Sequence, residues 1–112
     1  HSYYFAKAAL KQGHSVRTFF YGDGVQVANC LLSPAQDALN LTHLWQKLAQ
    51  EYQFELAVCV AAALRRGITD ADNAHRHHLQ GHNLAQDFNL TGLGTLTEWL
   101  LDADRTFSFV GR

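Results

Sequence analysis

The sequence has 112 residues, of which 47% are hydrophobic and 17% charged, with nine basic side chains against ten acidic ones and a formal charge of −1. Such a chain holds one globular domain over residues 1–112, is too short for two, and is too apolar for a disordered tail. Its balanced charge excludes a general electrostatic pull on nucleic acid.

No apolar run approaches the 18 or so residues that span a bilayer. The opening residues lack the basic start and cleavage pattern of a signal peptide. Cys30 and Cys59 are the only two cysteines, too few for a disulfide scaffold. They fit a reduced cytoplasmic protein whose thiols are either buried or reactive. The first residue is His1, not Met, and the chain opens directly in a helical pattern. The numbering is therefore expected to begin inside a strand–helix unit, with an upstream strand preceding it.

Tyr4, Phe5, Ala8, Ala9 and Leu10 recur at helical spacing, and Gly13 suits the position that ends a helix. Residues 14–21, with Val16, Thr18, Phe19 and Phe20, read as a strand. Gly22, Asp23 and Gly24 break it, with Asp23 placed to cap a short helix over 25–32 that Ser33 and Pro34 stop. The Gly-Asp-Gly run lacks the spacing of either common phosphate-binding loop, so a turn accounts for it.

Leu41, Leu44, Trp45, Leu48, Ala49 and Tyr52 form the clearest amphipathic helix. Residues 54–60, FELAVCV, are a nearly continuous apolar run of strand length, the signature of a strand buried on both faces of a parallel sheet. A helix over 61–66 ended by Gly67, a polar helix over 70–79, a glycine-containing loop over 89–94, a helix over 95–104 and a final strand over 106–110 complete the order. Alternating helices and apolar strands predict an open, mostly parallel α/β sheet with helices on both faces. Trp45 and Trp99 fall at core-type helix positions and read as packing residues.

Cys59 lies near the carboxyl end of the most apolar strand, where α/β sheets gather ligands and reactive groups. A helix starting at 61 or 62 sets its N-terminus beside the thiol, with Arg65 and Arg66 nearby to favour thiolate or to dock a partner. Both arginines read equally as solvated surface charges. By position alone Cys59 is also a small core hydrophobe, and position does not settle which. Cys30 has no basic neighbour and no metal or redox spacing to Cys59, so it reads as structural. His75, His78 and His82 can share a helix face and bind a transition metal, but Gly81 breaks the helix before His82 and no Cys or carboxylate completes the set. A solvated polar face suits them better.

Four blocks in order, FFYGDGV (19–25), LLSPAQD (31–37), VCVAAALRRGITD (58–70) and NLAQDFNLTGLGTLTEWLLDADRTFSF (83–109), resemble the DsrE family of sulfur-relay subunits, most closely its TusD group. The resemblance covers nearly the whole chain, and its most specific part is the cysteine followed by VAAALRRG. It implies a five-stranded parallel sheet whose first strand precedes His1. It also implies a persulfide carried on Cys59, with no metal or organic cofactor. The implied partners are TusB-like and TusC-like subunits in a heterohexamer, together with donor and acceptor carrier proteins. The implied end product is a 2-thiouridine at the tRNA wobble position. A DsrE-type role in dissimilatory sulfur oxidation and a non-catalytic assembly subunit remain open alternatives. Neither Cys30 nor the histidine-rich segment matches a family motif.

Overall fold

The computed structural model describes residues 2–34 and 39–110; His1 and the part of the LLSPAQD block that falls on 35–37 lie outside them. Helix α1 (Ser2–Lys11) buries Tyr3, Ala6 and Leu10, one face at helical spacing. Gly13 ends it in the left-handed region at φ +89°, with its N–H donating to the Leu10 carbonyl at 3.0 Å. Only a residue without Cβ adopts that conformation at little cost.

Strand β1 (Thr18–Phe20) is shorter than its pattern predicts, and a 3-10 helix (Gly22–Ala28) follows it directly. The expected turn and helix are thus one element, begun by Gly22 at φ +55°. Asp23 does not cap it: Tyr21 is the N-cap, without a side-chain bond, and the Asp23 carboxylate is committed to Arg66 instead. Helix α2 (Leu41–Tyr52) forms as its periodicity predicts, with Asn40 Oδ1 accepting from His43 N at 3.2 Å and Trp45, Leu48 and Ala49 buried.

Strand β2 (Leu56–Cys59) is buried at all four positions. Val60 belongs to the next helix, α3 (Val60–Arg65), which Arg66 and Gly67 end. Helix α4 (Ala71–Arg76) is capped by Asp70, whose carboxylate accepts from Asn73 N at 2.8 Å. It stops short of the expected residue 79 because His78 turns to φ 55°. Strand β3 (Phe88–Thr91) takes up the first half of the 89–94 segment expected to be a loop, and α5 (Leu93–Asp102) begins two residues earlier than expected, with Gly94 inside it and Gly92 as N-cap.

The three strands form one parallel sheet in the order β1-β2-β3, with Leu56 beside Thr18 and Phe88, and Ala57 beside Phe19 and Asn89. Strand residues alternate between faces. Leu56 and Val58 join the core with Tyr3, Leu10, Val25, Trp45, Leu48, Ile68 and Phe88. Phe20 meets Trp45 edge-on on this side, at 5.2 Å between ring centroids. Ala57 and Cys59 point the other way, as does Phe19, whose ring meets Trp99 of α5 at 6.4 Å. The sheet therefore carries α1 and α2 on one face and α5 on the other. This is the predicted α/β architecture.

The expected final strand does not form. Residues 103–110 join no ladder and are exposed throughout. Phe107 and Phe109 both lie on the ring of Phe5, at 4.6 and 5.5 Å, while Ser108 and the Tyr21 hydroxyl share a 2.6 Å hydrogen bond. The alternating Phe107 and Phe109 are met by ring packing on α1 and not by backbone pairing. The described sheet accordingly has three strands, against the five of the resemblance.

No helix among the described residues is long and apolar enough to cross a membrane. Leu56 has no exposed surface, so Leu56→Ala is expected to cost about 2–5 kcal/mol of unfolding free energy in urea titration. Asp70→Ala removes the cap of α4 together with the bond its carboxylate accepts from Asn73 Nδ2 at 2.9 Å, and is expected to cost about 1–2 kcal/mol.

Candidate functional site

Cys59 closes β2 and is at once the N-cap of α3, with φ −61° and ψ 116°. The strand passes into the helix without a loop residue because the alanines that follow are strong helix formers. Cys59 is not paired with Cys30. Its 7% exposure contrasts with none for Leu56, Ala57 and Val58. Cys59 is thus a buried residue with a small remaining surface, placed at the carboxyl end of the sheet. Its neighbour in register on β3 is Thr91, followed at once by Gly92, the N-cap of α5. Two helices therefore begin side by side next to the thiol, and neither carries a side-chain cap. The first N–H groups of a helix have no partner within it and face whatever group is seated there.

Arg65 and Arg66 stand at the other end of α3 from Cys59, about 9 Å along the axis at 1.5 Å per residue. Arg65 is exposed. Arg66 Nε donates to Asp23 Oδ1 at 3.0 Å and its Nη1 donates to the Ala62 carbonyl at 3.0 Å. This guanidinium joins α3 to the 3-10 helix. The Asp23 side chain is 79% exposed, so the pair contributes at most about 1 kcal/mol.

Cys30 is exposed, where a structural role predicts packing. It lines a cavity of about 90 Å³ with Asn29, His43, Gln46 and other mostly polar residues. A second cavity, of about 160 Å³, lies between Tyr21, Gly22, Asp23 and Gly24 and the aromatic C-terminal segment at Phe109 and Val110.

The histidines do not share a helix face. His75 is in the last turn of α4, His77 is its C-cap, His78 is left-handed, and His82 lies beyond, all exposed. Among the described residues no three His, Cys, Asp or Glu side chains gather as a metal site would require.

Sequence reasoning missed Asn83 and Thr69, the two buried polar residues among those described. Asn83 Oδ1 accepts from Thr69 N at 3.0 Å, and its Nδ2 donates to the Gly67 carbonyl at 3.0 Å and to Asn29 Oδ1 at 2.9 Å. These bonds tie together the turn after α3 and the end of the 3-10 helix. Nothing local marks the residue: Asn83 follows Gly81 and His82 and reads as loop.

The two thiols differ in exposure, so a disulfide probe is expected to react in two phases. Cys30→Ser removes the fast phase and leaves the slow one. Loss of the slow phase instead, followed by absorbance of the released thiol, contradicts the buried placement of Cys59.

The model of the DsrE/DsrF-like family matches residues 1–109 of this chain. Sulfurtransferase TusD of Photorhabdus laumondii is 47% identical over 109 residues, which cover 96% of this chain and 83% of that protein. The TusD homolog of Vibrio parahaemolyticus is 49% identical over 109 residues, with the same two coverages, 96% and 83%. Sulfurtransferase TusD of Pectobacterium carotovorum is 49% identical over 106 residues, covering 94% and 82%. With a family match along nearly its whole length and relatives this similar, the chain belongs to the DsrE/DsrF-like family, among the TusD sulfurtransferases.

Proposed function

We propose that this chain is a sulfurtransferase subunit of a sulfur relay and that it carries sulfane sulfur as a persulfide on Cys59. The observation that carries the reading is the thiol's place. Of the four buried positions of β2 only the last keeps any surface above zero, and it is a cysteine at the open end of a parallel sheet. The printed names of the relatives, sulfurtransferase TusD, supply the class of chemistry.

The reaction is an exchange at sulfur. The Cys59 thiolate attacks the outer sulfur of a donor persulfide, R–S–SH. A bond forms between Cys59 Sγ and that sulfur, the donor's S–S bond breaks, and the donor leaves as a thiolate. The transferred sulfur keeps one proton, and no net oxidation occurs. An acceptor thiolate then attacks the outer sulfur of Cys59–S–SH and regenerates the Cys59 thiolate. No metal or organic cofactor enters either step. Shelter suits the intermediate, because a persulfide in open water is exposed to stray thiols.

The finer reading follows the family resemblance carried by the sequence blocks. The subunit works in the cytoplasm in a hetero-oligomer with TusB-like and TusC-like subunits, between a persulfide donor and an acceptor carrier protein. The sulfur ends as a 2-thiouridine at the tRNA wobble position. The near-neutral charge supports delivery through protein partners and not by direct contact with nucleic acid.

Incubation with glutathione persulfide followed by intact-mass measurement is expected to show one added sulfur, removed by dithiothreitol. Cys30→Ser is expected to keep that sulfur and Cys59→Ser to lose it. Equal loading of Cys59→Ser rejects the assignment. In a strain lacking the native subunit, Cys59→Ser is expected to leave wobble uridine unthiolated. Restored 2-thiouridine there supports an assembly subunit instead.

A further inference from the structure

Cys59 points to the sheet face away from the core, in line with Ala57 on its own strand and beside Phe19 of β1. Ala57 has no exposed surface and Cys59 only 7%. A methyl group is hidden from water only beneath a close neighbour, so a layer lies over this part of β2. The helix on that face is α5. It starts at the end of β3, where Thr91 is in register with Cys59, and its Trp99 ring lies edge-on to Phe19 of β1. Strand β2 runs between β3 and β1. A helix anchored at both outer strands therefore passes over β2, and the β2 side chains on its side are Ala57 and Cys59. Its axis advances about 9 Å from Leu93 to Trp99, close to the two strand spacings it has to cross.

This cover is lightly held. No residue of α5 is buried; Thr95, Leu96 and Trp99, on one face, are half-buried and the others exposed. Three contacts fix its far end. Trp99 meets Phe19, the Arg17 guanidinium stands 5.6 Å from the Trp99 ring centroid, and Arg17 Nη2 lies 3.3 Å from Asp102 Oδ2. Arg17 makes two of the three, from the position just before β1.

We infer that α5 is the cover of the Cys59 thiol and that Arg17 is a positioning residue that seats it, so that a donor persulfide reaches Cys59 when the far end of α5 lifts. The inference rests on Cys59 being the sulfur carrier. Arg17 acts only through α5 and does not touch the sulfur. Contacts as exposed as these are individually weak, so the lifted form is reached by local opening and not by unfolding of the sheet.

The test uses the full chain with Cys30→Ser, so that Cys59 is the only thiol read. The rate of Cys59 with a pyridyl disulfide is followed through low urea for the parent, Trp99→Ala, Arg17→Ala and Asp70→Ala. Trp99→Ala and Arg17→Ala each remove two of the three contacts. The first is expected to raise the rate at least about fivefold and the second at least about threefold. The excess is expected to be flat in urea, as a local opening exposes little new surface. Asp70→Ala destabilises the chain at α4 without touching the three contacts, and is expected to stay within about twofold of the parent.

Rates within about twofold of the parent in either folded α5 variant overturn the inference. So does a rise that climbs with urea along the slope of equilibrium unfolding, or an equal rise in Asp70→Ala, since each marks a general loss of stability. If Trp99→Ala does not fold, Arg17→Ala, a substitution at a side chain 49% exposed, decides by the same criteria. Failure of the carrier reading shows separately, as a parent that takes no sulfur from glutathione persulfide while its disulfide kinetics stand.

Discussion

The fold is organised around one requirement, that β2 be covered on both faces. Its four residues are all buried, so its backbone groups have to be met by strands and its side chains by helices. Parallel neighbours on both edges supply the first, in register with β1 and β3. Parallel strands need long crossovers, and the helices in those crossovers supply the second. A side chain of β2 can then meet the outside only where the strand runs out. That place is occupied by Cys59, and its small residual surface follows from the geometry of the sheet.

Elements whose patterns are carried by apolar spacing were legible in the sequence. The α2 stripe from Leu41 to Tyr52 is wholly in or against the core, and β2 was readable as a strand buried on both faces. Elements were misread where glycine or aromatic residues carried the signal. In the segment 89–94 the glycines at 92 and 94 suggested a loop, yet Leu90, like Phe88 before it, lies on the core side of the sheet while Asn89 faces away. In 106–110 Phe107 and Phe109 alternate as strand residues do, but they pack on the Phe5 ring and join no strand. Propensity says that a residue suits a pleated surface; only the three-dimensional arrangement says whether such a surface is there.

The candidate site divides in the same way. Cys59 could be placed at a strand end because strand length and the following helix formers are local properties. The geometry of Arg66 was hidden, since its partner Asp23 comes from another element and draws the guanidinium toward the 3-10 helix. Asn83 was hidden further still. Its role exists only once Asn29, Gly67 and Thr69 converge on one carboxamide, and no spacing in the chain announces that.

Adjacent phenylalanines of β1 send their rings to opposite faces, and each meets a different tryptophan. Trp45 sits in the core against Tyr3 and Phe20. Trp99 is only partly buried, with Phe19 on one side and the Arg17 guanidinium 5.6 Å from its ring centroid. The molecule thus contains two tryptophan fluorophores in unlike surroundings, one dry and one half-wet beside a cation. Emission from the first reports on the packed layer beneath the sheet, and quenching of the second on the seating of α5, so the two halves of the sandwich can be watched separately in one spectrum.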